Sequence, residues 1–288
     1  MSLPGYCILS RQPAIRFGWV RKAGAACYLR PLVRVLLLSD IHANLEALEA
    51  SLAAAPEHDL VANLGDVVGY GASPNEVAAH ARSLGAAIVR GNHDKACTGQ
   101  MSLTDFNAMA AQAARWTQSE LEIQNLDWLK KVAAGPVELD VTCKDGQKPL
   151  LAHGSPLDED EYVITLRDAL DVLSRSSVRL TFFGHTHLQG GFALDSAQGG
   201  RGFRPQYRGA DEVEQFRMRL EPGIRYMINP GSVGQPRDGD WRAAFALFDS
   251  DDDSVVFCRV PYDVAGAQGR IRDAALPERL ASRLREGR

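Results

Sequence analysis

The chain has 288 residues, 45% of them hydrophobic and 24% charged, which is typical of a globular protein and excludes collagen-like, low-complexity and largely disordered chains. The formal net charge is −4, and because residues 1–34 contain six basic and no acidic side chains, the remainder carries −10. This acidic body argues against a broad nucleic-acid interface, and no apolar run reaches the roughly 18 residues of a membrane span, so neither partner is expected.

The N-terminal segment, residues 1–32, is rich in arginine and has no helical or strand periodicity. We expect a separate arm that is disordered or results from an over-extended translation start. A transit peptide is the alternative, although the segment is poor in serine, and its apolar runs are too short for a secretory signal. Five scattered cysteines without a Cys-x-x-Cys pair predict neither a disulfide framework nor a thiolate zinc site. The expected location is therefore the reducing cytoplasm.

Residues 33–89 alternate between short apolar runs and helical patterns. Strands are predicted at 33–39, 60–64 and 86–89. The first intervening helix is capped by Asn44, and the second begins at Ser73 with Pro74 in its first turn and Glu76 closing a capping box. Strands and helices in this order predict right-handed parallel crossovers within an α/β sheet.

The remainder of the chain is predicted to be richer in strands. A long helical pattern covers 104–133, and residues 189–212, dense in Gly, Arg and Gln, are predicted to form a surface loop or a poorly ordered excursion. The other predicted elements are strands at 137–142, 150–152, 179–183, 226–228, 243–248 and 255–260, a helix at 165–174 and a helix pair from Asp263 that is broken at Pro277. The expected organisation is an arm at 1–32, a domain at 33–262 and a helical tail at 263–288 packed on that domain.

Several predicted strands end in side chains that bind metals. In chain order these are Asp40, His42, Asp66, Asn92, His153, His185 and His187, with His93, Asp94 and Asn229 beside them. Because the carboxyl ends of strands in an open α/β sheet form one ligand crevice, we expect these side chains to converge. Pairs one residue apart, such as Asp40 and His42, are expected to face the same side of an extended chain. Glycines beside the ligands are expected to permit close backbone approach.

The types of these side chains predict the kind of site. Two Asp, one Asn and four His without a thiolate form a mixed oxygen and nitrogen set, which suits Mn, Fe, Zn or Ni better than Ca or Mg. Seven candidate ligands exceed the needs of one tetrahedral ion and suit two ions about 3.5–4 Å apart that share one carboxylate. Any one motif alone is compatible with a helix cap or a surface histidine. Their joint occurrence at successive strand ends predicts a dinuclear metal site.

The order of these motifs resembles that of the calcineurin-like metallophosphoesterases over about residues 33–262. The resemblance is carried by Asp40-Ile-His42, Gly65-Asp66, Gly91-Asn-His-Asp94, His153-Gly154 and Gly184-His-Thr-His187. Residues 65–71 and 229–238 are further similar to the small bacterial phosphodiesterases of that family. The resemblance implies an α/β fold, a four-layer α/β/β/α sandwich of two mixed sheets flanked by helices.

The resemblance also implies a role for each side chain. One ion would be held by Asp40, His42 and His187, the other by Asn92, His153 and His185, and Asp66 would bridge the two. Manganese is the expected metal, with iron, nickel or zinc as alternatives. The implied reaction is hydrolysis of a phosphate ester by attack of a metal-bridging hydroxide on phosphorus. His93 would protonate the leaving oxygen or hydrogen-bond a phosphate oxygen, and Asp94 would orient His93 or cap a helix.

One departure from the family pattern bears on the substrate. Protein serine/threonine phosphatases of this superfamily carry Asp and Arg where this chain has Gly69 and Tyr70, which argues against protein phosphatase activity. Arg237 is then the candidate phosphate ligand, with backbone N–H groups at 231–234 as a further source and a merely solvated arginine as the alternative.

The predicted function is that of a metal-dependent phosphodiesterase or phosphomonoesterase acting on a small or nucleotide-like phosphate ester. A scaffold of the same fold without catalysis is one alternative, since fold alone does not establish activity. A dinucleoside polyphosphate hydrolase or a nuclease with the same metal site is the other.

Overall fold

The computed structural model describes residues 16–20, 28–209 and 211–288, with side chains described from Val33 onward except at 210. The strands in this part of the chain are β1 (Arg16–Val20), β2 (Tyr28–Leu32), β3 (Arg34–Leu38), β4 (Leu60–Asn63), β5 (Ala87–Ile88), β6 (Val137–Glu138), β7 (Leu150–Leu151), β8 (Leu180–Phe182), β9 (Gly190–Asp195), β10 (Gly199–Phe203), β11 (Glu214–Arg219), β12 (Arg225–Asn229), β13 (Ala243–Asp249) and β14 (Ser254–Val260). The helices are α1 (Leu45–Ala54), α2 (Pro74–Ser83), α3 (Asn92–Cys97), α4 (Ala108–Glu120), α5 (Ile123–Leu129), α6 (Leu166–Arg175), α7 (Val264–Asp273) and α8 (Glu278–Glu286).

Two six-stranded mixed sheets form the centre of the molecule. The first has the order β11-β14-β13-β3-β4-β5, in which β3, β4 and β5 are parallel and the other pairs are antiparallel. The second has the order β10-β9-β12-β8-β7-β6, in which β12, β8 and β7 are parallel. The parallel strands of both sheets direct their carboxyl ends to the edge where the metal-binding motifs follow.

Alternation along β3 shows how the layers are built. Val35 and Leu37 belong to the core between the two sheets, whereas Leu36 and Leu38 belong to the core between the first sheet and its helices. Side chains of a strand point alternately to its two faces, so a strand buried on both faces is apolar throughout. On the far side, α6 packs on the second sheet around Val172 and Met227. The result is the predicted four-layer α/β/β/α sandwich.

Several local predictions are confirmed. The Asn44 side chain accepts a hydrogen bond from the Ala47 amide at 3.1 Å and caps α1. The tail forms the predicted helix pair, with Leu280 and Leu284 buried in the core beneath α8. No helix in the described part of the chain is both long and apolar enough to cross a bilayer.

The surface loop predicted at 189–212 is wrong for residues 190–203, whereas 204–209 and 211–212 lie outside any helix or strand. Residues 190–203 form the antiparallel hairpin β9–β10, and β9 continues the second sheet through β12. Glycine conceals the alternation here, because the hairpin strands carry few side chains with strand propensity. At Gly191 a Cβ atom would lie 2.1 Å from the Met227 carbonyl oxygen, so the neighbouring strand excludes a side chain.

Three other predictions differ from the structure. The helix predicted at 104–133 is two helices, α4 and α5, because the backbone is extended at Leu121. The strand predicted at 137–142 is only β6, and β11 was not predicted. The capping box at α2 does not form. The amide of Ser73 donates to Ala43 O at 3.0 Å and is not available to Glu76, while the Ser73 hydroxyl is buried without a hydrogen-bond partner.

The N-terminal prediction is partly wrong. Residues 16–20 and 28–32, expected to lack regular structure, pair as the antiparallel strands β1 and β2. The disorder predicted for 1–15 and 21–27 concerns residues outside those that the structure describes.

Candidate metal centre

The candidate ligands follow parallel strands of both sheets and meet at one edge. Asp40 and His42 follow β3, and Asp66 follows β4. His153 follows β7, and the pair at 185 and 187 follows β8. All of these side chains are buried. Side chains up to 147 residues apart in sequence therefore form one small polar cluster within a largely apolar interior.

The first group consists of Asp40, His42, Asp66 and His187, whose ligand atoms all lie within 4.8 Å of one another. His187 Nε2 lies 3.3 Å from Asp40 Oδ1, and His42 Nε2 lies 3.6 Å from Asp66 Oδ2. The two imidazole Nε2 atoms are only 3.0 Å apart.

The second group consists of Asp66, His153 and His185, whose ligand atoms meet the same limit of 4.8 Å. His153 Nε2 lies 3.3 Å from Asp66 Oδ2 and 3.2 Å from the amide oxygen of Asn92. Asp66 belongs to both groups. The structure thus brings together all seven side chains that the sequence analysis singled out as ligands.

Hydrogen bonds to the backbone set the tautomers of three histidines. The Nδ1 atoms of His42, His153 and His187 donate to the carbonyl oxygens of Val68, Leu64 and Gln235 at 3.3, 2.7 and 2.5 Å. Such bonds leave the lone pair on Nε2, as in metal-binding histidines. The lone pairs of His42 and His187 then face each other at 3.0 Å, an arrangement that is repulsive without a cation. His185 Nε2 is buried and has no hydrogen-bond partner. This donor set fits divalent metal ions.

The charge states of His42, His185 and His187 suit metal binding without change, whereas His153 is charged and would lose its Nε2 proton to a bound cation. Burial holds the pKa of His42 and His187 well below the usual value and lowers that of His185 to about 2, so these rings are neutral. Burial alone would lower the pKa of His153. The attraction of the nearby Asp66 carboxylate is stronger and raises this pKa to about 10. Burial alone would raise the pKa of Asp66. The neighbouring histidines have the larger, opposite effect and hold this pKa well below the usual range. Asp66 is therefore a buried carboxylate, as a bridging ligand must be.

The ligand pairs converge for a different reason from the one predicted. An extended chain was expected at Asp40-x-His42 and His185-x-His187, but the φ angles at these four residues are 51°, 51°, 66° and 59°. Asp66 has a φ of 53°. Left-handed backbone at a residue other than glycine is unfavourable by about 1–2 kcal/mol, and such strain is concentrated at functional sites. The strand-end loops therefore aim these side chains through tight left-handed turns.

Close backbone approach is confirmed at Gly91. A Cβ atom at this position would lie 2.0 Å from Asp66 Oδ1 and 2.5 Å from the Asp66 amide nitrogen. Residue 91 therefore has to be glycine for Asp66 to occupy its place. Because Asp66 belongs to both ligand groups, the β5–α3 turn that contains Gly91 affects the geometry of both.

Replacing Gly91 by Ala is expected to lower the free energy of unfolding by about 1–3 kcal/mol and to displace the Asp66 carboxylate, because the added methyl group overlaps it. Thermal unfolding and metal content of the variant measure both effects. Gly269→Ala is the matched control, since a Cβ atom there meets nothing within 4 Å. The helix interior should then gain about 0.5–1 kcal/mol. Unchanged stability and metal content in the Gly91 variant would contradict this account.

His93 lies beside the ligands and contacts the bridging carboxylate through its backbone. Its amide donates to Asp66 Oδ1 at 2.8 Å, and burial lowers the pKa of its ring to about 4. Neither ring nitrogen of His93 has a hydrogen-bond partner among the described residues, and Nδ1 is buried. Asp94 does not hold this ring. Its oxygens accept from the Gly91 and Val68 amides at 3.0 and 3.2 Å, so it caps α3.

A cleft of about 210 Å³ opens beside the second ligand group. Its lining includes His93, Asn92 and His185 and three aromatic side chains, Tyr70, Phe106 and Tyr162. Tyr162 was not predicted as a site residue, and its ring lies against that of His185 with centroids 3.7 Å apart. No motif surrounds Tyr162, so only its packing identifies it.

The backbone of Arg237 contacts the segment of the first ligand group that carries His187. Its amide donates to His187 O at 3.2 Å, and its Nη2 atom lies 3.4 Å from the Tyr70 hydroxyl. Asn229, the remaining motif residue, lies outside both ligand groups. Its side-chain amide donates to Gly184 O at 2.8 Å and to the Thr186 hydroxyl at 3.1 Å, which fixes the loop that carries His185.

Comparisons with known proteins agree with this architecture. Residues 33–253 match the model of the calcineurin-like phosphoesterase superfamily domain. The uncharacterized protein MJ0912 of Methanocaldococcus jannaschii is 34% identical over 256 residues, which cover 88% of this chain and 98% of that protein. A metallophosphoesterase from Sphaerobacter thermophilus superposes with a TM-score of 0.73 at 37% identity, covering 89% of this chain and 100% of that one. The hypothetical protein PH1004 from Pyrococcus horikoshii OT3 superposes with a TM-score of 0.70 over 89% of this chain and 99% of its own, but at 18% identity it supports the fold alone.

Proposed function

This chain belongs to the calcineurin-like phosphoesterase superfamily, and we propose that it is a dinuclear metal-dependent phosphodiesterase acting on a small or nucleotide-like phosphate ester. The observation that carries the proposal is the position of Asp66. Its Oδ2 atom faces His42 of one ligand group at 3.6 Å and His153 of the other at 3.3 Å. A carboxylate shared in this way is typical of two-metal hydrolases.

In this proposal, one ion would be held by Asp40, His42, Asp66 and His187, and the other by Asp66, Asn92, His153 and His185. Two divalent cations at these positions supply an activated water nucleophile and neutralise charge on the phosphoryl group. We propose manganese, with iron, nickel or zinc as alternatives, because the donor set mixes carboxylate, amide and imidazole. The chain contributes the fixed orientation of the donors. The His93 amide donates to Asp66 Oδ1 and so fixes the orientation of the carboxylate that would be shared by the two ions.

We propose that His93 acts on the leaving group of the ester. Its side chain lines the cleft next to Asn92 and His185, and its ring nitrogens have no competing partner among the described residues. The ring is neutral in the free protein because burial lowers its pKa to about 4. It can hydrogen-bond a phosphoryl oxygen, and it can donate a proton to the departing oxygen once the bound anionic ester raises its pKa. Arg237 is the proposed phosphate ligand, since its guanidinium lies at the Tyr70 side of the same centre.

The lining of the cleft indicates that the substrate is an ester with a flat substituent. Tyr70, Phe106 and Tyr162 offer aromatic surface around a volume of about 210 Å³, which suits a ring system rather than a protein segment. We also propose a cytoplasmic location, which is supported by the free thiols of the three cysteines in the described residues, Cys97, Cys143 and Cys258.

A panel of metals and substrates tests the proposed function. The purified protein is stripped of metal, reloaded with Mn, Fe, Ni, Zn or Mg, and assayed on bis-nitrophenyl phosphate, nitrophenyl phosphate, cyclic nucleotides and dinucleoside polyphosphates. We expect the manganese form to hydrolyse the diester faster than the monoester. Preference for the monoester or the polyphosphates would reassign the substrate class. Activity on none of them with any ion would favour a scaffold without catalysis.

A further inference from the structure

A cluster of ion pairs joins the helix α3 to residues 154–162. The side chain of Lys95 on α3 is only 7% exposed, and its ammonium lies 3.0 Å from Glu159 Oε1 and 2.5 Å from Asp160 Oδ2. Arg90 also donates to Glu159, from Nε at 3.1 Å and from Nη2 at 2.9 Å. Two basic side chains, one before α3 and one on it, therefore hold two adjacent carboxylates.

Residues 154–162 fold back on their own beginning. The Gly154 amide donates to Glu159 O at 3.0 Å, and a Cβ atom on Gly154 would lie 2.8 Å from the same carbonyl oxygen. This turn starts directly after His153 and is fixed by the ion pairs to the helix that starts at Asn92. The cluster therefore connects the two chain segments that carry these candidate metal ligands.

The turn ends at Tyr162, which lines the cleft beside the second ligand group. The Tyr162 ring lies against that of His185, with centroids 3.7 Å apart and planes inclined by 33°. Tyr162 is still 49% exposed, so part of its surface is open to a ligand. Its backbone is held on one side by Asp160 in the ion-pair cluster and on the other by Val163, which is buried in the core beneath α6.

The charge of Lys95 has a second consequence for the cleft. Asp160 lines this cleft and is 33% exposed, so its carboxylate alone would repel an anionic ester. The ammonium of Lys95 neutralises this carboxylate and fixes its position at the same time. Buried ion pairs contribute little net stability, because desolvation opposes the attraction between the charges. Their place at the wall of the cleft is a better reason for these ion pairs than stability.

We propose that Tyr162 is the specificity-determining residue on which the flat substituent of the ester binds, and that Lys95 is the positioning residue that holds Tyr162 there through Asp160. Among the aromatic side chains of the cleft, Tyr162 lies against the second ligand group, whereas Tyr70 lies against His42. A substituent in contact with Tyr162 is thus next to a phosphate bound at His185. The inference rests on the proposed phosphoesterase function and assigns its substrate recognition to one side chain.

The affinities of phenylphosphonate and methylphosphonate for the manganese-loaded protein test the role of Tyr162. Both carry the same anionic group and neither has an ester bond, so the ratio of their dissociation constants, read by calorimetry, isolates the contact with the ring. We expect phenylphosphonate to bind about tenfold more tightly, because its ring is buried against an aromatic side chain. In Tyr162→Ala this ratio should fall by about threefold or more.

Lys95→Met and Asp160→Asn break the ion pair from its two sides. Each should lower the ratio by about threefold or more, because Tyr162 is no longer held in place. Their effects on charge are opposite, since loss of the cation should weaken both phosphonates and loss of the carboxylate should strengthen both. A fall of the ratio in both variants therefore reports position and not charge. In Lys95→Met combined with Tyr162→Ala, the ratio should fall no further than in Tyr162→Ala, because Lys95 acts through Tyr162.

Lys148→Met is the matched control, because Lys148 pairs with Asp140 at the surface and does not line the cleft. This control should keep the ratio of the unmodified protein. Thermal unfolding and metal content of every variant establish that the fold and the metal centre are intact. If Lys95→Met does not fold, Asp160→Asn decides the role of the ion pair.

Three results would overturn the inference. Equal affinity for the two phosphonates in the unmodified protein, or an unchanged ratio in Tyr162→Ala, would remove the role of Tyr162. An unchanged ratio in the folded variants of Lys95 and Asp160 would remove the positioning role of Lys95. A further fall in the double variant would show that Lys95 does not act through Tyr162.

The inference and the proposed function fail in different ways. If the diester is hydrolysed but the ratio is close to one, only the assignment of Tyr162 is wrong. If the diester is not hydrolysed with any metal, the proposed function fails. The phosphonate ratio requires no turnover and then still decides whether Tyr162 binds an aromatic substituent.

Discussion

Replacing Asp66 by Asn is expected to lower kcat/KM for a phosphodiester by about 10³-fold or more, which corresponds to a loss of about 4 kcal/mol of transition-state stabilisation. Asp66 is the residue shared by both ligand groups, and its Oδ2 atom faces both His42 and His153. An amide keeps the shape of the side chain but removes the charge that two cations would share. Initial rates with a nitrophenyl diester measure the loss.

Asp140→Asn is the matched control for this change. Asp140 is exposed, pairs with Lys148 at 2.7 Å and belongs to neither ligand group. Because a surface ion pair contributes little to stability, this variant should keep the activity and metal content of the unmodified protein. An Asp66→Asn protein that retains activity within about tenfold and binds two ions would contradict the bridging role.

His93→Ala is expected to slow hydrolysis of a diester with a poor leaving group by about 10²–10⁴-fold, and that of a nitrophenolate diester much less. Nitrophenolate departs without help, whereas an alkoxide needs a proton as the bond to phosphorus breaks. The free ring of His93 in the cleft is the group in position to supply it. The measurement is a series of diesters that differ in the pKa of the leaving alcohol.

His80→Ala serves as control for this series, because His80 is exposed on α2 and lies outside the cleft. It should leave every member of the series unchanged. Equal slowing of good and poor leaving groups in His93→Ala would remove the role in proton donation and leave a role in binding the phosphoryl group.

The convergence of the candidate ligands was predictable because their positions follow from a local rule. Each of them comes directly after a short apolar strand, and parallel strands bring their carboxyl ends to one edge. Asp40, Asp66 and His153 could therefore be assigned before their distances were known. The backbone that aims them could not, since nothing in the residue types at 40, 42, 185 and 187 indicates positive φ angles. We predicted that these side chains converge because they alternate along an extended chain. They do converge, but through left-handed turns.

Long-range packing explains what the sequence did not reveal. Tyr162 reaches His185 from an irregular segment, and Arg283 reaches Tyr70 from a helix more than 200 residues further along the chain. Neither contact leaves a periodic or motif signal. The β9–β10 hairpin was missed for a related reason, because glycines such as Gly191 are required by the approach of neighbouring strands and not by local propensity.

Anomalous diffraction at the manganese edge, from crystals grown with manganese, tests the central claim most directly. The account predicts two peaks about 3.5–4 Å apart on either side of Asp66. One peak should adjoin His42 and His187, and the other should adjoin His153 and His185. A single peak at full metal content, or two ions bound away from Asp66, would contradict the account.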